Sequence, residues 1–158
     1  MMRLLLAIAI ATGYTAYHYG YTSSDYGATN ERTTSAVSQH LQKNVNNAGE
    51  QLIRQAFENQ ASNLQVEASG KVVKVLEDDI NPPRHQRFIL KLDNGLSLLV
   101  AHNIDLAKRV ADLKTGDAVS FYGEYEWNKK GGVLHWTHHD PQGSHAAGWL
   151  RHNGQTYQ

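Results

Sequence analysis

The apolar positions change period part-way along the chain. Val37, Leu41, Val45, Ala48, Leu52 and Ala56 recur at spacings of four and three, one stripe of an α-helix. Ile53 and Phe57 widen the stripe toward its C-terminal end. The pattern predicts an amphipathic helix over 36–63 that docks on a neighbouring domain or pairs with a partner. After Leu64 the period falls to two and the segments shorten.

Five strands follow from that shorter period. Residues 68–77 form the first, ended by the DDINPP loop, whose prolines cannot continue a ladder. Residues 85–92 and 96–102 flank Asp93-Asn94-Gly95, a hairpin turn because Asn-Gly accepts positive φ. Leu106, Val110 and Leu113 then predict a short helix over 104–113, with Asn103 as its cap and Asp105 near its positive end. Residues 118–127 and 133–139 make a second hairpin across Lys129–Gly132, and the tail with Asn153-Gly154 adds a small ribbon. Strand, strand, strand, helix, strand, strand is the order of a five-stranded OB-like Greek-key barrel. The fold class is therefore mainly β over 64–158, preceded by the amphipathic helix.

The N-terminus changes the picture of location. Arg3 precedes an apolar run from Leu4 to Ala11, and Ala9-Ile10-Ala11 has the form of a cleavage site. Residues 1–16 read as a signal peptide or membrane anchor, and 17–35, rich in Tyr, Ser, Thr and Gly, as a flexible linker. The chain is expected to be exported, periplasmic or attached to the membrane facing the periplasm. It has no cysteine, which excludes disulfides and thiolate metal sites. Lys+Arg and Asp+Glu both number 15, so the charge surplus expected of a protein that grips duplex DNA is absent. Histidine stands out with nine residues, four of them in HWTHHDPQGSH (135–145).

The motifs RHQRF (84–88), HNID (102–105), GEYEWN (123–128), GGVLHWTHHDP (131–141) and GW (148–149) resemble a bacterial family of small exported proteins. That family is known only as a domain of unknown function, and the resemblance covers about residues 68 to 158. It implies that these polar motifs belong to one module and supplies no activity.

Strand geometry limits what the histidine-rich stretch does alone. In a regular strand His135, Thr137 and His139 share one face and Leu134, Trp136 and His138 the other. Residues four apart in a strand are separated by roughly 13 Å, too far for His135 and His139 to share one ion. Barrel topology instead brings the ends of strands one, three and five and the start of strand two to one pole. That pole gathers Asp78-Asp79, Arg84-His85, HNID and His138-His139-Asp140.

The main expectation is a binding module that uses Arg84, His85, His102, Asn103, Asp105, His135, Trp136, His138, His139 and Asp140. Its ligand is a sugar, a small molecule, a partner protein or a divalent metal. A metal would be held by His85, His102, His138 and Asp140. The alternative is a histidine-dependent, metal-assisted phosphoester hydrolase with His102 and His138 as its catalytic residues.

Overall fold

The computed structural model describes residues 23–158. The expected signal or anchor segment 1–16 and the start of the linker lie outside the described residues. The chain divides into two compact units, one ending at Gln39 and the other His40–Gln158. Helix α1 (Ser23–Glu58) crosses that division, so the segment expected to be a linker is helical from Ser23 onward. Among the described residues no helix is long and apolar enough to cross a membrane.

The second unit is a closed five-stranded barrel. Its strands are β1 (Leu64–Val75), β2 (His85–Lys91), β3 (Ser97–Asn103), β4 (Ala118–Glu126) and β5 (Val133–His135). The order is β1-β2-β3-β5-β4, and β1 closes the barrel by pairing with β4. All neighbours are antiparallel except β3 and β5. A register shift between Val72 and Lys74 bends β1, which pairs with β4 through Lys71 and with β2 from Lys71 onward. Alternate residues fill the interior, among them Val66, Ala68, Phe88, Leu90, Leu98, Val100, Phe121, Tyr125 and Leu134, each essentially inaccessible. The predicted tail ribbon is present as β6 (Trp149–His152) and β7 (Gln155–Tyr157), and β6 pairs with β4 beyond the end of β5. Asn153 and Gly154, both at positive φ, make its two-residue turn.

One side of the barrel is covered by the C-terminal part of α1, through Ile53 and Ala56 of the expected stripe but not through the rest of it. Gly49, Glu50, Ile53 and Ala56 are buried, whereas Leu41, Val45 and Leu52 remain exposed. Polar anchors turn the helix this way. Glu50 accepts hydrogen bonds from the amides of Asp93 (3.3 Å) and Asn94 (2.7 Å), and Asn46 Oδ1 accepts the Ser69 amide (2.6 Å) and hydroxyl (2.9 Å). The helix lies so close to β1 that a Cβ on Gly49 would fall 1.7 Å from the Glu67 carbonyl oxygen. Gln60, at φ 55°, ends α1, and the Ala61 amide bonds back to the Ala56 carbonyl (2.8 Å).

The helix expected over 104–113 is a run of turns instead. Its backbone groups are captured by two inward-facing polar side chains, Gln86 of β2 and its cross-strand neighbour His102 of β3. Gln86 brackets Val110, accepting its amide (2.8 Å) and donating to its carbonyl (3.1 Å). His102 bonds the Lys108 carbonyl (3.1 Å). Val110 is thereby drawn into the core while Leu106 is left exposed. This segment stands where a helix was expected between the third and fourth strands.

Candidate functional site

The loop pole is shaped by an abrupt end to β5. Trp136 has φ 50°, a left-handed conformation uncommon for a bulky residue, and the strand alternation breaks there. Leu134 points into the core and His135 outward, as expected. Beyond Trp136, His138 is buried and His139 exposed as the alternation expects, but Thr137 leaves the outward face and is buried as well. The neighbouring chain must come close to accommodate this turn, and Gly148 allows it. A Cβ there would lie 2.0 Å from the Trp136 carbonyl oxygen.

The expected residues separate into three groups. His102 is fully buried and both of its nitrogens are bonded. Nε2–H donates to the Lys108 carbonyl, so Nδ1 accepts the Thr137 hydroxyl proton (2.7 Å). Burial lowers its pKa to about 4, against the Lys108 carbonyl, with the nearby His138 and His85 adding to the lowering. His102 is a neutral fastening of the barrel pole with no free lone pair, so neither the metal role nor the catalytic pairing with His138 survives for it.

Arg84, Asp105, Asp140 and His139 form the second group. The Arg84 guanidinium and amide both donate to Asp105 (2.7 Å each), which joins two loops at the surface. These bonds hold the Asp105 carboxyl below its usual range. Asp140 accepts the amides of Gln142 (2.9 Å), Ser144 (2.7 Å) and His145 (2.9 Å) and the Ser144 hydroxyl (2.9 Å). The Gln142 amide leads in lowering its pKa to about 2. Its oxygens are committed to shaping the 140–145 loop rather than to an ion. His139 is exposed and lies outside the pocket described next.

The third group comes together. His85, Asn103, His135, Trp136 and His138, with Pro83, Ala101 and Leu106, line a pocket of about 310 Å³. His138 is 3% exposed, and its Nδ1–H donates to the His139 carbonyl (2.7 Å). That bond fixes Nε2 as the free nitrogen. Asn103 Oδ1 accepts the Asp105 amide (2.9 Å), which leaves its NH₂ as the available end. Trp136 is not an open stacking platform: His145 lies flat on it at 4.0 Å and 7°, and His138 tilts against it at 5.4 Å.

The comparisons with known proteins cover most of this architecture. A family model matches residues 36–158, from within α1 to the C-terminus. The chain belongs to that family, described as a protein of unknown function (DUF3465). No curated protein and no solved structure matches the chain. The DUF3465 match begins well before residue 68, so the docked part of α1 belongs to the same module as the barrel.

Within that module, three residues not anticipated as site residues stand beside the pocket: Glu124, Glu126 and His145. Glu124 and Glu126 occupy one face of β4, and Glu124 is directly opposite His135 of β5. His135 Nε2 is 3.2 Å from Glu124 Oε1 and 3.9 Å from Glu126 Oε1. It is shielded from solvent yet aligned for no hydrogen bond. The donor atoms of these three side chains lie within 4.8 Å of one another, a combination suited to a divalent cation. On the far side of Glu124, Oε2 meets His145 Nε2 at 2.7 Å, while His145 Nδ1–H donates to the Ala146 carbonyl (2.8 Å). Burial disfavours the His145 imidazolium, but these bonds and the charges of Glu124 and Asp140 outweigh it and raise its pKa.

Proposed function

We propose that this chain is an exported binding module whose barrel pole takes a small, uncharged, hydroxyl-bearing molecule. The observation that carries the reading is His138, a largely buried ring on the pocket wall whose Nε2 has no hydrogen-bond partner among the described residues. That nitrogen opens on the pocket, where a ligand hydroxyl can take the place of water. Among the described residues no Lys, Arg, Asp or Glu lines the pocket, so fixed charge there does not select the ligand. A lone pair on His138 and an NH₂ on Asn103 suit a hydroxyl, which donates to the first and accepts from the second. Pro83, Ala101 and Leu106 supply an apolar wall, and about 310 Å³ is at the small end of ligand sites, with room for a monosaccharide. Export rests on Arg3 and the Leu4–Ala11 run. Zero formal charge argues against duplex DNA as the partner.

The test is an NMR titration of the imidazole resonances with a panel of monosaccharides and small polyols, together with fractionation of cells expressing the full chain. The reading expects saturable shifts of His138 and His85 that disappear in His138→Leu while the backbone spectrum persists. It also expects the protein outside the cytoplasm. Binders that leave the His138 and His85 signals unmoved, or a panel with no saturable binder below about 10 mM, would overturn the ligand assignment. Retention in the cytoplasm would overturn export.

A further inference from the structure

We propose that Glu124, Glu126 and His135 form a divalent transition-metal site, with His145 holding Glu124 in place from behind. Two consecutive outward positions of β4 and the opposing position of β5 put all three donors on one patch of the barrel exterior. The hairpin joining the strands is held by Asn128, whose Oδ1 accepts the amides of Lys130 (2.8 Å) and Gly132 (3.2 Å). A rigid turn of this kind fixes the register and therefore the donor spacing. Metal–nitrogen and metal–oxygen bonds near 2.0–2.2 Å require ligand atoms roughly 3–3.5 Å apart. The present spread of up to 4.8 Å needs only side-chain adjustment to reach that.

The environment of His135 supplies an independent argument. Its Nε2 faces two carboxylates, is cut off from water, and makes no hydrogen bond. No hydrogen bond among the described residues fixes the His135 tautomer, and when Nε2 is unprotonated its lone pair faces two anions, an arrangement that a cation placed among them relieves. Glu124 is prepared for that role. Its Oε2 is bound by His145, which leaves Oε1 on the side of His135. His145 in turn is fixed by its stack on Trp136, by the Ala146 carbonyl and by the Asp140 bond to its amide. Residues that orient a ligating carboxylate in this way commonly change metal affinity by about 10–100-fold when lost. One imidazole and two carboxylates, without thiolate, suit Zn²⁺ or Mn²⁺ rather than a soft monovalent ion. Three protein ligands leave positions open for water. The inference shares only His135 with the pocket and does not depend on what the pocket binds.

The test is calorimetric titration of untagged, metal-stripped protein with Zn²⁺ and Mn²⁺, using circular dichroism to confirm the fold of each variant. One ion should bind per chain with Kd of about 10 μM or tighter. His135→Asn should abolish binding and Glu126→Gln weaken it at least tenfold, with His138→Leu leaving it unchanged. His145→Ala should weaken binding about 10–100-fold, and His145→Gln, which retains an N–H donor, should restore most of it. In the wild type, sub-stoichiometric Mn²⁺ should broaden the NMR signals of 123–127 and 133–136 first, a readout that survives even if a variant fails to fold. The assignment is wrong if no ion binds tighter than about 100 μM, if Mn²⁺ broadens another region first, or if neither His135→Asn nor Glu126→Gln alters affinity.

Discussion

The side of the barrel covered by α1 and the loop pole are both rich in polar residues, yet they treat those residues differently. On the α1 side, Glu50, Asn46, Ser69 and Asn94 bond one another and the backbone. Trp127 joins them by donating its indole N–H to the Phe57 carbonyl (3.1 Å). At the loop pole, Gln86, His102 and Asp140 are similarly saturated, but His135 Nε2 is shielded without a partner and His138 Nε2 opens on the pocket. Polarity alone therefore does not mark a site. What distinguishes the loop pole is histidine nitrogen with bonding capacity left over, set in a concave surface.

The sharpest way to break the closed side is to deny α1 its approach. Gly49→Ala should improve helix propensity by about 1 kcal/mol. It also places a methyl group against the backbone of Glu67, which cannot move aside as a side chain can. The clash should win, with a net loss of about 3 kcal/mol in urea unfolding, at the upper end of overpacking costs. A variant as stable as the wild type would mean that α1 does not sit on β1 in solution.

Acid should distinguish the saturated part of the loop pole from its open part. His102 is held at a pKa of about 4 against 6.5 for a free imidazole, so the unfolded chain binds the extra proton between those values. The contribution is full above pH 6.5 and falls as pH drops toward 4, by roughly 2 kcal/mol between pH 7.5 and 5. His145 acts in the opposite direction: its raised pKa favours the fold in acid and loses that contribution as pH rises through it. Urea midpoints from pH 7.5 to 5 should therefore fall less steeply in His102→Gln than in the wild type. Equal slopes in the two proteins would remove His102 as the acid-sensitive fastening.

How much of this was legible in sequence depends on how locally each feature is specified. The barrel was readable because alternation fills its interior strand by strand, and the Asn-Gly turns set two hairpins. The 104–113 helix was misread because the groups that capture its backbone, Gln86 and His102, lie on earlier strands and look like ordinary polar strand residues. The inward turn of Thr137 was hidden too, since nothing in HWTHH signals a left-handed Trp136. Glu124 and Glu126 were within reach. Counting back across the Lys129–Gly132 turn puts Glu126 opposite His135 and Glu124 beside it on the same face; the structure shifts that register by two and pairs Glu124 with His135. His145 was not, because its position depends on the knot that Asp140 ties around 142–145.

The smallest expected effect tests the comparison most directly. Glu50→Gln keeps the shape of a saturated residue but weakens its charge-assisted bonds to the Asp93 and Asn94 amides, and should cost about 1 kcal/mol. His85→Gln alters a half-buried pocket residue whose side chain makes no hydrogen bond within the described residues, and should change stability by less than about 0.5 kcal/mol. Both are measured in one urea series at pH 7.5, where His102 stays neutral in either variant. If His85→Gln cost as much as Glu50→Gln, the open pole would be holding the fold together as the closed side does. A free ring at the pocket would then have to be counted among the barrel's structural groups rather than kept for a ligand.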